Sequence, residues 1–206
     1  MEGELDLVER FGVSRGVVRE GIRALEERGL ISVKHGKGAV VTEPALWSAL
    51  DEDVLDVMIA SGASDRLAEV LECQRMFEVQ AAGLAATRAT SADLAQLEEA
   101  ILQMSATADR VASNRGSAAR YQEARLAFHR SVVRAAGNAT LARLSEPLHR
   151  VLAAVGRREQ PPARRVAAEI EEYRSINATI AARDAAQASE AMERHLAAVA
   201  ADLLAN

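Results

Sequence analysis

The sequence predicts a mainly α chain in two modules: a small basic head of two helices and a β-hairpin, then a larger antiparallel all-helical bundle. Three observations predict it. First, 49% of the 206 residues are hydrophobic but only 3% are aromatic, and 43 are alanine. Such a chain favours helices packed closely through small side chains and disfavours an all-β fold. Second, the net charge of −5 is unevenly spread. Residues 10–42 hold seven basic and three acidic groups, a net of +4; residues 43–206 hold 18 and 23, a net of −5. Both lysines fall in the first segment. Third, apolar residues recur at helical spacing along most of the chain, and a strand pattern appears only before Glu43. The hydrophobic content excludes a disordered chain. No apolar run approaches the ~20 residues of a membrane span. The acidic start, MEGELDLVER, lacks the basic-then-apolar order of a secretory signal. The single cysteine, Cys73, excludes an internal disulfide framework and a Cys-based zinc cluster. A cytoplasmic protein is expected.

In the head, Leu5, Leu7 (or Val8) and Phe11 predict a helix over 4–11, stopped by Gly12, with Val13 in the turn. Ser14 suits the N-cap of a second helix over 15–28, because its hydroxyl can accept from a free backbone N–H. Val18, Ile22 and Leu25 form the apolar face of that helix, and Gly29 is its stop. Arg15, Arg19 and Arg23 recur every fourth residue and so share one exposed stripe. Leu30–Lys34 and Ala39–Thr42 read as strands, joined by the tight turn His35-Gly36-Lys37-Gly38. Helix, turn, Arg-striped helix and hairpin make a winged helix-turn-helix over residues 1–43. In such a unit the start of the second helix enters the major groove, placing Ser14, Arg15, Gly16 and Arg19 against bases and phosphates. Arginine can bond guanine in a bidentate way. The wing tip, His35, Gly36 and Lys37, would lie at the DNA backbone or the minor groove. A solvated Arg face on an ordinary amphipathic helix is the competing reading, and the hairpin and GVS turn weigh against it.

Glu43-Pro44 ends the hairpin. Leu46, Leu50, Val54 and Met58 predict a connecting helix over 45–60 within a linker at 44–62. The module 63–206 then reads as helices at 65–88, 91–110, 117–136, 138–157, 162–183 and 185–204, an antiparallel bundle. No Ser–His–Asp order, P-loop or dinucleotide fingerprint is present. Cys73 reads as a small buried helix residue, His149 as structural, and Arg157-Arg158 and Arg164-Arg165 as solvated loop charges around Pro161-Pro162.

The segment ELDLVERFGVSRGVVREGIRALEERGLISVKHGKGAVV resembles the DNA-binding head of GntR-type bacterial transcription regulators. The resemblance implies DNA contacts by Arg15 and Arg19, a cap or phosphate contact by Ser14, and wing contacts by His35 and Gly36. Heads of this family begin with a further helix and a short strand ahead of the GELDL segment; here Met1 stands in their place, and a misassigned start is the expected reason. Without them Leu7, Ile22 and Leu25 are expected to stay partly uncovered. The stretches LAEVLECQRMFEVQAAGLAATRAT, YQEARLAFHRSVVRAAGNATL and EEYRSINATIAARDAAQASEAMERHL resemble the FadR-type effector domain, FCD, that follows such heads.

Many members of that domain hold a divalent metal with an Asp, a His four residues on, and one His from each of the last two helices. The corresponding residues here are Arg125, His129, Tyr173 and His195. Only His129 and His195 keep metal-ligating chemistry, and Arg125 puts a cation where a carboxylate belongs. The position commonly Arg, four residues before the Glu of the first bundle helix, is Gln74, beside Arg75. The expected site is therefore a donor-rich cationic pocket for an anion, built from Arg75, Arg125, His129, Tyr173 and His195, with a divalent metal on His129 and His195 as the weaker reading. The resemblance implies a homodimer on an inverted-repeat operator in double-stranded DNA, a repressor released by a small anionic metabolite such as a carboxylate. Two rivals stand beside it: a helical sensor that has lost DNA binding, and a metal-dependent helical-bundle enzyme.

Overall fold

The computed structural model describes residues 3–34, 38–48, 50–60, 64–111, 115–158 and 163–205. The chain divides into two compact units, Met1–Leu55 and Asp56–Asn206.

In the first unit, α1 (Glu4–Phe11) ends at Gly12, whose left-handed backbone (φ 63°) lets its N–H reach the Val8 carbonyl. Ser14 then caps α2 (Arg15–Glu27) by accepting from the Val17 N–H at 3.3 Å. The C-terminus of α2 closes in a Schellman turn: Leu30 N–H donates to Leu25 O and Gly29 N–H to Glu26 O. Gly29 there has φ 74°. Strands β1 (Ile31–Lys34) and β2 (Gly38–Val41) pair antiparallel, from Ile31 opposite Val41 to Lys34 opposite Gly38. Glu26 accepts from the Val33 N–H at 3.1 Å and ties the hairpin to α2. The apolar core here is thin. Val18, Ile31 and Ala39 are buried, Leu7 and Ile22 are half-buried, and Leu25 is 39% exposed, as expected for these two helices and a hairpin.

The continuous helix expected over 45–60 is instead two separate elements, a 3-10 turn, Pro44–Leu46, and α3 (Glu52–Ala60). The interruption comes from Asp51. Its Oδ1 accepts from the Asp53 and Val54 N–H groups at 3.1 Å and starts α3, while its Oδ2 takes Arg28 Nε at 2.9 Å. Trp47 is extended, and its indole N–H donates to the Thr42 carbonyl at 3.3 Å.

The second unit is a bundle of α4 (Ser64–Arg88), α5 (Ser91–Thr107), α6 (Arg115–Ala135), α7 (Ala139–Arg158), α8 (Ala163–Ala181) and α9 (Ala185–Leu204). Helix α4 packs on α9, α6, α8 and α7, and α5 packs on α6 and α8. Alanine makes the α4–α9 seam: Ala81, Ala82, Ala85 and Ala188 have no exposed surface, and a Cβ on Gly83 would sit 2.6 Å from Ser189 Oγ. The breaks have local causes. Thr90 and Asp93 form a capping box. Asn138 Oδ1 accepts from the Thr140 and Leu141 N–H groups, and Asp184 Oδ1 from the Gln187 N–H. Two expectations need correction. Cys73 is exposed, on the outward side of α4 next to exposed Glu72. Arg165 is no loop charge: it lies in α8 with its side chain 13% exposed, held by Glu172 and Asp202. No helix among the described residues is long and apolar enough to cross a membrane.

Candidate functional site

The first site is the face of α2. Arg15, Gly16 and Arg19 are exposed together at the N-terminal half of the helix, which Ser14 holds in register. Arg23 is committed to Glu27 at 3.1 Å in an exposed pair, whereas Arg15 and Arg19 make no ion pair or hydrogen bond among the described residues. Their guanidinium groups remain open to an incoming anion. His35, Gly36 and Lys37 lie outside the described residues.

The second site is inside the bundle, where four of the expected residues come together. His129 Nε2 lies 3.0 Å from the Tyr173 hydroxyl. The His129 and His195 rings stack at 5.4 Å, and Tyr173 sits 4.5 Å from His195. Arg125 and Tyr173 meet on one oxygen, Glu169 Oε1, at 2.7 and 3.5 Å. Arg75 is not with them; it lies on the outside of α4, paired with Glu193 at 2.6 Å.

The site is not simply cationic, because two buried carboxylates balance it: Glu78, the helix Glu four residues after Gln74, and Glu169, which carries no sequence signal. Glu78 of α4, without exposed surface, accepts from Gln74 Nε2 at 3.0 Å and meets His129 Nδ1 and His149 Nε2, the latter at 3.0 Å. His149, expected to be structural, therefore belongs to this network. Burial pushes the Glu78 carboxyl up, but the two histidines outweigh it and hold the group well below the usual carboxylate range. Glu169 of α8, 1% exposed, takes Arg125 and the Tyr121 hydroxyl, the latter at 2.8 Å. Burial again opposes ionisation there, and Arg125, His195 and the Tyr121 hydrogen bond prevail, lowering the pKa. Burial and the nearby Glu169 charge push Tyr121 and Tyr173 far above the ordinary phenol value, so both stay protonated donors. His195 Nδ1 bonds Glu172 at 2.8 Å, and burial lowers the His195 pKa, favouring the neutral ring.

Beside this network lies a half-open cavity of about 100 Å³, walled by all of these helices except α5. Its polar lining is Gln74, Gln122, Arg125, His129, His149, Arg165, Glu169 and Asp202. Tyr173 and His195 stand behind His129 and are not on the wall. Three buried nitrogens are left without hydrogen-bond partners: Gln122 Nε2, Arg125 Nε and His195 Nε2. Gly156 gives Gln122 its place, since a Cβ there would meet Gln122 Oε1 at 2.8 Å; that same oxygen accepts from Arg125 Nη1 at 2.7 Å.

The donors do not fit a divalent metal. The carboxylate position is a guanidinium bound to Glu169, the Tyr173 phenol stays protonated, and His129 uses both ring nitrogens on Glu78 and Tyr173. Among the described residues no group of three or more His, Cys, Asp or Glu side chains is placed to hold a metal ion.

Residues 69–198 match the FCD domain, and residues 3–41 match the bacterial regulatory proteins of the gntR family. The galactonate operon transcriptional repressor of Escherichia coli is 35% identical over 146 residues, 70% of this chain and 61% of the repressor. The match therefore spans less than two thirds of that relative. An uncharacterised helix-turn-helix regulator of Mycobacterium tuberculosis, Rv0494, is 30% identical over 96% of this chain and 77% of its own length. LutR of Bacillus subtilis is 28% identical over 92% and 84%. Solved structures agree in fold: Lar of Listeria monocytogenes has a TM-score of 0.67 at 17% identity, covering 98% of this chain and 85% of that one. A GntR protein of Streptococcus agalactiae has a TM-score of 0.57 at 23% identity, covering 98% and 88%. With its bundle matched from residue 69 to 198 and its head from 3 to 41, the chain belongs to the GntR family of bacterial transcription regulators and carries an FCD domain.

Proposed function

We propose that the protein is a ligand-responsive, cytoplasmic DNA-binding repressor. Two copies would read an inverted repeat through Arg15 and Arg19, and a small carboxylate in the bundle cavity would release them. The observation that carries this reading is the joining, in one chain, of an open Arg15–Arg19 face on a capped helix to a half-open bundle cavity lined by Gln122, Arg125, His129 and His149. The galactonate operon repressor among its relatives is, by its name, a repressor too. The ligand would act by favouring one of two arrangements of the bundle, and only its difference in affinity for the two can shift the heads.

The test is a gel shift on DNA upstream of the protein's own gene. The unmutated chain should retard it, and Arg15→Ala should weaken binding by about 1–3 kcal/mol. No shift from the unmutated chain would favour the sensor that has lost DNA binding. The enzyme reading needs a metal that this donor set does not suit, and turnover with stoichiometric metal would restore it.

A further inference from the structure

The end of α2 is tied to the start of α3, and the ties converge on one residue. Arg28 closes α2, its N–H donating to the Ala24 carbonyl at 3.3 Å. Its own carbonyl accepts from the Ser48 N–H at 2.9 Å. Its guanidinium holds two carboxylates at once, Asp51 through Nε at 2.9 Å and Asp53 through Nη2 at 3.0 Å, which its rigid fork of donors allows. Asp51 is shared in turn: Oδ2 faces Arg28, while Oδ1 accepts from the Asp53 and Val54 N–H groups that open α3. The Arg28–Asp51 side chains are 37% and 23% exposed, against 72% and 67% for Arg23–Glu27, so solvent and salt screen this pair less than an ordinary surface pair. Among the described residues no other hydrogen bond or ion pair runs from α2 or its cap to α3.

We infer that Arg28 is a positioning residue that couples DNA binding to α3. It makes the DNA-reading helix and the first turn of α3 one cooperative body, and it needs no contact with DNA itself. Parts of a protein that share partners open and close together, whereas unlinked parts do so separately. A duplex held at Arg15 and Arg19 restrains α2, and through Arg28 that restraint reaches Asp51 and the N–H groups it caps. The place matters because the first unit ends at Leu55, within α3, and the helix runs on to Ala60 in the second. Coupling is reciprocal, so whatever biases the start of α3 biases α2 by the same free energy. The inference rests on the DNA-binding reading given above and requires no identified ligand.

The test is hydrogen exchange of the full chain with and without the DNA upstream of its own gene, read by mass spectrometry on peptides covering α2 and Asp51–Met58. In the unmutated chain DNA should slow exchange at least threefold in both. Two variants remove the tie from opposite ends. Asp51→Asn with Asp53→Asn keeps a good helix cap, so its exchange at Asp51–Met58 without DNA should stay within twofold of the unmutated chain. Arg28→Gln keeps both carboxylates. Both variants should bind the DNA within threefold of the unmutated chain and still show slowing in α2, while the slowing at Asp51–Met58 disappears. Slowing that persists there in either variant would overturn the coupling, as would its absence from an unmutated chain that retards DNA. A larger loss of DNA affinity in both variants would make Arg28 part of the grip on DNA and overturn it too. If the unmutated chain retards no DNA, the DNA-binding reading fails and this inference with it.

Discussion

A carboxylate with no exposed surface is costly unless its lone pairs are used, and Glu78 uses them on three side chains: Gln74, His129 and His149. Glu78→Leu leaves two imidazoles buried without that acceptor, and breaking a buried pair from one side costs about 3–5 kcal/mol. Glu78→Gln keeps the shape and one acceptor oxygen, so its urea midpoint should fall less. Acid sensitivity follows from the same groups. Glu172 is lowered from 4.5 to about 2: burial opposes its ionisation, and the hydrogen bonds from His195 and Arg165 outweigh it. A carboxyl lowered in the folded state lets the unfolded chain take up protons first, so its stabilisation is complete above about pH 5 and lost as pH falls towards 2. His195 acts in the same direction at higher pH. Its folded pKa lies below 6.5 because of burial, so the unfolded chain again gains the proton first as pH drops through about 6.5. Urea midpoints measured against pH should therefore fall steadily on acidification from neutrality, and His195→Gln should flatten the upper part of the curve while leaving the lower part.

Elements were legible where their causes are local. Ser14, Thr90, Asn138 and Asp184 cap helices whose starts follow directly from residues within three positions of them. The start of α3 at Asp51 was missed although its cap is local; what fixes Asp51 there also includes Arg28, 23 residues away. The site divides the same way. Arg125, His129, Tyr173 and His195 were implied by the resemblance to the FCD domain, but nothing in the sequence sets Glu169 apart from the other acids of α8, because its partner Arg125 comes from α6, 44 residues away. Gln122 and Tyr121 likewise read as an ordinary turn of α6. One small residue decides an element in the head. Gly29 has φ 74°, and a Cβ there would lie 2.2 Å from the Leu46 carbonyl oxygen. Gly29→Ala should thus cost more than the ~1 kcal/mol of a left-handed non-glycine residue. Because backbone must move, the loss should appear as lower hydrogen-exchange protection in β1 and β2, with the bundle unchanged.

At the scale of the whole molecule, the net charge of −5 conceals the division that matters. Among the described residues the basic stretch at 10–42 presents Arg15 and Arg19 unpaired, while the cations beside the bundle site are paired: Arg125 on Glu169, Arg165 on Glu172 and Asp202, Arg130 on Glu146. The two binding events should therefore respond differently to salt. DNA binding releases counterions from phosphates, so log K should fall linearly with log[salt], with a slope of about −0.9 per phosphate contact. A small carboxylate entering the bundle cavity displaces no condensed counterions from a phosphate backbone, so its affinity should change much less over the same range. The slope also separates the roles of the two arginines. A residue that contacts only phosphate lowers the slope by about one when replaced and weakens all sequences alike; a residue that reads a base costs about 1–3 kcal/mol and relaxes preference at one position. Arg15, in the first turn of α2, is expected to behave as the base reader, and Arg19, one turn later, as the phosphate contact. Salt titrations of Arg15→Ala and Arg19→Ala on operator and scrambled DNA measure both quantities. Equal slopes for the two variants and the unmutated chain would show that neither side chain touches phosphate.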